Sequence, residues 1–193
     1  GSGNIVSVAI DTFTGISGLI ANTSYEFYVR DYCGATDSSN WAGPFTFQTP
    51  CAVYVPDYTE DFASFVPSCW ENYTDGNVST GPSTPGFSSW GADGFANVGF
   101  TGAIRSNIYG TGLYNDWFVS PTFDLSAGGY QLVFDVAGTA YASSTAPAAM
   151  GSDDTLALVK SIDGGVTWAF EKIWTQGSEP SLAGDRETFM LGS

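Results

Sequence analysis

Short apolar runs, each bounded by turn-forming residues, are the feature that most restricts the fold of this chain. Residues 130–136 read Y-Q-L-V-F-D-V and residues 155–161 read T-L-A-L-V-K-S, with Gly, Asp or Ser close to both ends. Runs of about four to eight residues bounded in this way are typical of β-strands, and helical periodicity is almost absent. The sequence therefore predicts an all-β protein. The predicted strands cover residues 7–12, 24–31, 44–49, 117–120, 130–136, 155–161 and 169–174.

The segment 76–102 is rich in Gly, Ser, Pro and Asn, with scattered aromatic residues. These turn formers predict long loops with short strands. We expect the large rings of this segment to be buried, because they gain the most from leaving water. They are Phe87, Trp90, Phe95 and Phe100.

The charge balance excludes several classes of partner. The chain has 193 residues, of which 20 are acidic, 5 are basic and none is histidine, so its net charge is −15. Such a surface repels phosphate backbones and anionic lipids, and we expect no nucleic-acid partner. No apolar run approaches the roughly 20 residues that a membrane-spanning helix needs, so we expect no membrane insertion. Cations are the natural counter-species, and oxygen-rich loops suit Ca²⁺ best.

Residues 13–49 resemble a known β-sandwich family. They contain the run G-L-I-A-N-T-S-Y-E-F-Y-V-R, the triplet S-N-W and a closing F-T-F-Q-T. This pattern resembles the C-terminal half of a fibronectin type III domain, particularly in secreted bacterial proteins. The composition changes at Thr49-Pro50-Cys51, and proline is a poor residue for a central strand. We therefore assign residues 1–50 to this half-domain.

Residues 58–193 resemble a second family, and we assign residues 51–193 to this second module. The matching elements are E-D-F with P-S-C-W, then D-W-F-V-S-P-T-F-D-L, S-D-D-T-L-A-L and S-I-D-G-G-V-T-W. They are similar to the front part of MAM-like jelly-roll modules of the cleaved-adhesin or choice-of-anchor class. The expected architecture is a partial fibronectin type III sandwich followed by a jelly-roll β-sandwich that lacks its C-terminal strands. Both ends then look cut inside a domain, as in a fragment of a larger multidomain surface protein.

The three cysteines allow a geometric argument. If residues 25–32 and 44–49 are antiparallel neighbours, Cys33 and Cys51 lie near opposite ends of the hairpin. At about 3.3 Å per residue they are on the order of 20 Å apart, beyond the ~7 Å that a disulfide permits between Cα atoms. Cys51 and Cys69 both stand at the start of the second module, and we predict a disulfide between them. Cys33 is left over, and we expect it to be unpaired and buried.

Five acidic residues are candidate calcium ligands. Ca²⁺ takes six to eight oxygens, usually from loop carboxylates and backbone carbonyls. The resemblance points the same way, since related modules commonly carry structural calcium. The alternative is that these carboxylates are simply solvated. The candidates are Glu60, Asp61, Asp116, Asp153 and Asp154.

Residues 161–168 match the Asp-box pattern S-x-D-x-G-x-x-W, which recurs on sialidase propeller blades. One copy cannot build a propeller, so we interpret it as a hairpin device. The Asp163 carboxylate would accept backbone N–H groups of the turn, and Trp168 would pack under the hairpin.

The pattern favours a non-enzymatic role. No histidine is present to activate a serine or cysteine, and no Gly-x-Ser-x-Gly elbow occurs. Exposed aromatic residues could stack on sugar rings, although burial is the commoner fate of such side chains. They are Trp90, Tyr109, Tyr114 and Tyr141.

The resemblance implies an adhesion or binding segment of a secreted or cell-surface bacterial protein, of the gliding or type IX-secreted kind. Calcium and a disulfide would brace a scaffold that presents loops to polysaccharide or a surface protein, alongside other domains of the parent chain. Two alternatives stay open. One is a carbohydrate-binding accessory module of a secreted hydrolase, and the other is a structural spacer in a surface filament.

Overall fold

The computed structural model describes residues 5–7, 15–34, 36–110 and 112–192. Within these ranges the protein is almost entirely β, as predicted, with one short 3₁₀ turn at Phe95–Asn97. The predicted strand at 7–12 lies outside the described residues except for Ser7. The strands are β1 Ser24–Val29, β2 Tyr32–Gly34, β3 Asp37–Ser38, β4 Ala42–Gln48, β5 Glu71–Asn77, β6 Gly81–Pro85, β7 Trp90–Asp93, β8 Ala103–Ser106, β9 Asp116–Val119, β10 Tyr130–Val136, β11 Thr155–Lys160, β12 Ala169–Thr175 and β13 Asp185–Leu191.

The chain divides into two compact units, Gly1–Ala52 and Val53–Ser193. The assignment of either unit to a named domain family stays a prediction from the sequence. No helix among the described residues is long and apolar enough to cross a membrane.

The described part of the first unit contains two antiparallel strand pairs, β1 with β4 and β2 with β3. Tyr25 lies opposite Phe47, and Phe27 lies opposite Phe45. Alternation along a strand places these four residues on one face, where the paired ring centroids lie 5.8 and 5.3 Å apart. Cross-strand aromatic contacts therefore account for the pairing of the two longest strands in this unit.

The second unit is built from four antiparallel groups of strands. A three-stranded sheet has the order β6-β5-β9, and three two-stranded pairs join β7 with β8, β10 with β13, and β11 with β12. All of these pairings join strands that run in opposite directions. Antiparallel strands need only short connections, which agrees with the many Gly-containing turns of the sequence.

An aromatic cluster centred on Phe118 of β9 forms one part of the core. The Phe118 ring lies 5.1 Å from Trp70, 5.8 Å from Phe65, 6.0 Å from Trp90 and 6.3 Å from Phe62, centroid to centroid. Offset and tilted ring pairs at these distances each add stabilisation beyond the burial of their area. The cluster therefore connects the segment before β5 with the three-stranded sheet and with β7.

A second apolar group packs β10 and β13 against β12. Phe134 stacks on Phe189 at 6.1 Å and meets Trp174 at 6.5 Å. Trp174 and Met150 are the two most deeply buried apolar side chains of the described residues, at 4% and 5% exposure. Lys172 of β12 pairs with Glu187 of β13, so an ion pair borders the same contact.

Cys51 and Cys69 form the predicted disulfide, and Cys33 is a free thiol as expected. The expected burial of Cys33 is wrong, because its side chain is exposed. Cys69 directly precedes Trp70, whose backbone N–H donates to the Pro67 carbonyl at 3.1 Å. The disulfide therefore fixes the chain immediately before an aromatic residue of the Phe118 cluster.

We expect the double variant Cys51→Ser/Cys69→Ser to lose about 3 kcal/mol of unfolding free energy, because the crosslink restricts a loop of moderate length in the unfolded chain. Urea unfolding followed by tryptophan fluorescence measures this loss. The matched control, Cys33→Ser, should leave the midpoint unchanged, because this thiol is exposed and unpaired. Equal losses in both variants would contradict the stabilising role of the disulfide.

Candidate functional site

The hairpin between β11 and β12 has the hydrogen bonds predicted from its motif. The Asp163 carboxylate accepts the backbone N–H groups of Val166 at 3.1 Å and Thr167 at 2.9 Å, and the hydroxyls of Ser161 and Thr167 at 2.8 and 2.6 Å. Four donors on one carboxylate lower the pKa of Asp163 to about 2, with the Thr167 hydroxyl as the largest cause. The motif is therefore a self-contained turn whose carboxylate is fully engaged.

Trp168 attaches this hairpin to the three-stranded sheet. Its ring lies 5.6 Å from that of Trp117 on β9, and its indole N–H donates to the Gly165 carbonyl at 3.0 Å. A Cβ on Gly81, which has φ +71°, would lie 3.0 Å from the Trp168 Nε1 atom. Glycine at position 81 therefore allows the positive φ of the backbone and leaves space for the Trp168 indole ring.

Two of the predicted calcium ligands lie in the segment before β5. Glu60 accepts the Tyr58 hydroxyl at 3.0 Å and the Phe62 backbone N–H at 2.9 Å. Asp61 is exposed and accepts the Ala63 backbone N–H at 2.9 Å. Each carboxylate thus caps a local turn of its own segment.

Asp153 and Asp154 are brought together around Gly151. The Asp154 carboxylate accepts the Gly151 N–H at 2.6 Å. A Cβ on Gly151 would lie 2.9 Å from Asp153 Oδ1 and 3.3 Å from Asp154 Oδ2, so both carboxylates approach the same point. A bend of the backbone makes this possible, since neighbouring residues of a straight strand point to opposite sides.

Asp116, the fifth predicted ligand, accepts the Ser89 backbone N–H at 3.0 Å. Its backbone carbonyl accepts the Trp90 indole N–H at 3.3 Å. Within the described ranges, no three His, Cys, Asp or Glu side chains are grouped so that they could hold one metal ion. The calcium site therefore stays a prediction.

The expected burial of the aromatic residues in segment 76–102 is wrong for three of them. Phe87 is 76% exposed, Phe95 is 38% exposed and Phe100 is 88% exposed, while Trp90 is half-buried against Phe118. Phe87 and Phe100 stand in turns between short strands, where no neighbouring sheet covers them. Burial of these rings depends on tertiary contacts that composition does not specify.

Of the aromatic residues that could stack on sugars, Tyr109, Tyr114 and Tyr141 are exposed. Tyr109 is 88% exposed and Tyr141 is 79% exposed. Trp90 is not available for such contacts, because its ring packs on Phe118 and its N–H is bonded within the protein.

Val98, Phe100 and Tyr141 form what we call the loop-tip surface. The Asn97 side-chain amide donates to the Thr139 hydroxyl and to the Ser143 carbonyl, so the two loops that carry these residues are adjacent. The Gly102 N–H donates to the Phe62 carbonyl at 3.1 Å. This bond holds the C-terminal end of the loop that carries Val98 and Phe100. The apolar side chains are therefore exposed on loops whose backbones are held at several points.

An open groove of about 250 Å³ lies beside β5. Its apolar lining comes from Val66, Trp70, Tyr73 and Pro85, and its polar lining from Glu71 and Asn72. We call this feature the β5 groove, and it lies within the second unit.

Two hydrogen bonds shape the polar side of the β5 groove. The Tyr73 hydroxyl donates to the Glu71 carboxylate. Burial, and then the Glu71 carboxylate, raise the pKa of Tyr73 to about 12, so the phenol stays protonated at neutral pH. The Gly86 N–H donates to the Asn72 carbonyl at 2.9 Å and joins two lining residues of the groove.

Sequence reasoning missed the β5 groove because β5 was not predicted as a strand. The sequence of β5, E-N-Y-T-D-G-N, is mostly polar and gives no apolar alternation. The one available signal is Trp70 with Tyr73, two aromatic residues directly after Cys69.

No protein-family model matches the chain, and no curated protein or solved structure matches it either.

We predict that Asp163→Asn lowers the melting temperature by several degrees at neutral pH, because the turn loses a charged acceptor. The folded pKa lies below its usual value, so this contribution is present above about pH 4 and is lost as the pH falls towards 2. The gap between the wild-type and variant melting temperatures should therefore narrow over that interval. Differential scanning calorimetry from neutral pH to pH 2 measures it.

The control for this prediction is Asp153→Asn, which removes an exposed carboxylate of another turn. We expect no comparable narrowing for this variant. A pH-independent gap for Asp163→Asn would contradict the assigned role of the charge.

Proposed function

We propose that this chain is a non-catalytic adhesion or binding segment of a multidomain secreted or cell-surface protein. It presents loops on a disulfide-braced β scaffold to polysaccharide or to a surface protein. The observation that carries the proposal is the exposure of large apolar side chains on anchored loops, with Phe100 at 88% and Tyr141 at 79%. Exposed apolar groups that lie together commonly mark interaction sites.

The anchoring of these loops adds support. Asn97 connects the two loops of the loop-tip surface through its side-chain amide, and Gly102 is held by the Phe62 carbonyl. A surface that is already ordered loses less conformational entropy when it binds a partner. Loops that are anchored by hydrogen bonds and expose apolar side chains are therefore better suited to binding a partner than to acting as a flexible linker.

The extracellular location is supported by the Cys51–Cys69 disulfide, because such bonds persist in oxidising compartments. The bacterial surface setting, with gliding or type IX secretion, rests on the family resemblance of the motifs. The net charge of −15 argues against nucleic acid and anionic lipid as ligands.

Carbohydrate binding is a second candidate function. The β5 groove favours it over the role of a passive spacer, because a concave surface with apolar and polar lining is of no use to a spacer. This candidate fits an accessory module of a secreted hydrolase as well as an adhesin.

The loop-tip surface can be tested with the chain coupled to fluorescent beads. Retention is measured on surfaces coated with cellulose, chitin, agarose or gelatin, under a fixed wash. We expect retention on at least one of them and a drop of roughly tenfold for Phe100→Ser/Tyr141→Ser, which corresponds to about 1.4 kcal/mol.

Met190→Ser is the matched control for that experiment, because Met190 is also an exposed apolar residue but lies on β13. We expect it to be retained like the wild type. Absence of retention on every surface, or equal losses in both variants, would count against loop-mediated adhesion.

Calcium bracing is tested by thermal unfolding in about 1 mM Ca²⁺ against excess chelator. A site with micromolar affinity contributes about 4 kcal/mol under these conditions, so chelation should lower the melting temperature clearly. Asp153→Asn/Asp154→Asn should abolish the difference, because these carboxylates converge on Gly151. An unchanged melting temperature on chelation would show that the acidic residues are turn caps only.

A further inference from the structure

We propose that the β5 groove is a subsite for a neutral pyranose ring of a polysaccharide. This inference rests on the non-catalytic binding role proposed above and gives it a ligand class and a position. It uses residues separate from the loop-tip surface. The argument concerns the size, lining, charge and rigidity of the groove.

The size of the groove suits one sugar ring. Its volume is about 250 Å³, and it is open to solvent. Pockets for drug-sized ligands and cofactors usually measure roughly 300–1,000 Å³, so a nucleotide or a large cofactor fits poorly. An open groove also lets a polymer continue on either side of the bound unit.

The lining combines the two kinds of surface that a pyranose presents. The C–H groups of the sugar face are apolar with slightly positive hydrogens, and aromatic ring faces are slightly negative. Tyr73 offers such a ring, while Val66, Pro85 and the edge of Trp70 complete an apolar wall. Trp70 itself is fixed in place, because its ring stacks on Phe118 and its N–H donates to the Tyr58 hydroxyl at 2.9 Å.

Two polar side chains complement the hydroxyl groups of a sugar. The Asn72 amide is half-buried, lines the groove and has both donor and acceptor atoms. Glu71 adds a carboxylate that can accept from sugar hydroxyls, and the Tyr73 hydroxyl already donates to it. Asn72 and Glu71 can therefore each bond a hydroxyl group of a sugar in the groove.

Charge selects neutral sugars. The carboxylate of Glu71 lines the groove, and the whole chain carries a net charge of −15. Uronic acids and sulfated sugars would place a second negative charge beside Glu71, and like charges at close range are repulsive. A neutral hexose or pentose meets no such penalty.

The walls of the groove are held before any ligand arrives. The disulfide fixes Cys69 next to Trp70, and β5 is paired with both β6 and β9. The contact between Gly86 and the Asn72 carbonyl holds the end of β6 against β5. Preorganised walls reduce the entropic cost of binding, which matters most for a small and weakly bound ligand.

The test titrates the full chain with soluble hexasaccharides of glucose, xylose, mannose and galactose units, and with oligogalacturonate as the anionic probe. Two-dimensional NMR follows the Asn72 side-chain amide and the Trp70 indole. We expect at least one neutral oligosaccharide to shift both signals in a saturable way, and oligogalacturonate to shift neither. If no neutral oligosaccharide shifts these signals, the proposal is overturned.

Variants locate the binding. Asn72→Ala and Tyr73→Ala should each weaken affinity at least tenfold, whereas Tyr73→Phe keeps the ring and should retain most of it. Glu71→Gln should weaken neutral binding, because an acceptor of sugar hydroxyls is lost, and should reduce the discrimination against oligogalacturonate, because the negative charge is removed. Tyr32→Ala, an exposed tyrosine of the first unit and outside the groove, is the control and should bind like the wild type.

The outcomes separate the two proposals. Wild-type affinity in both Asn72→Ala and Tyr73→Ala would overturn the groove assignment. If oligosaccharide binding is instead lost in Phe100→Ser/Tyr141→Ser, the loop-tip surface is the sugar site, and the adhesion proposal survives without the groove. Bead retention without oligosaccharide binding would leave adhesion standing and remove the saccharide subsite.

Discussion

The packing of Phe118 against four neighbouring aromatic rings is the interaction on which the second unit most depends. Phe118 lies on β9, in the three-stranded sheet, and its ring meets Trp70 at 5.1 Å and Trp90 at 6.0 Å. Trp70 in turn forms an edge of the β5 groove and follows the disulfide-bonded Cys69. One aromatic cluster thus positions a candidate ligand site, the entry segment and the next strand pair.

The acidic residues show how a highly charged chain uses its carboxylates locally. Asp163 accepts four hydrogen bonds inside one turn, and Asp154 accepts the Gly151 N–H three residues earlier. Such side chains replace missing backbone partners in turns, which are abundant in a protein of short strands. Part of the negative charge of the chain is therefore explained by carboxylates that stabilise turns, whether or not a cation binds.

The proposed roles divide the surface by chemistry. The loop-tip surface is apolar and exposed, whereas the β5 groove is concave and combines Tyr73 with Glu71 and Asn72. An exposed apolar surface suits extended contact with a polymer or protein, and a groove suits recognition of a single unit. An adhesion segment with both surfaces would combine weak specific contacts with general attachment. Several weak contacts made at once raise the overall affinity through avidity.

Sequence alone determined the all-β class, the bounds of β10, the Asp163 turn and the Cys51–Cys69 pairing, because each depends on local pattern or on simple chain geometry. Only the tertiary structure decided β5, which is mostly polar, and β13, which begins with the polar run D-R-E-T before three apolar residues. Arg186 of β13 lies opposite Asp135 and bonds it at 2.8 Å, so a partner distant in sequence stabilises that strand. The β5 groove belongs to the same class of feature, since its walls come from segments that meet only after the strands have paired.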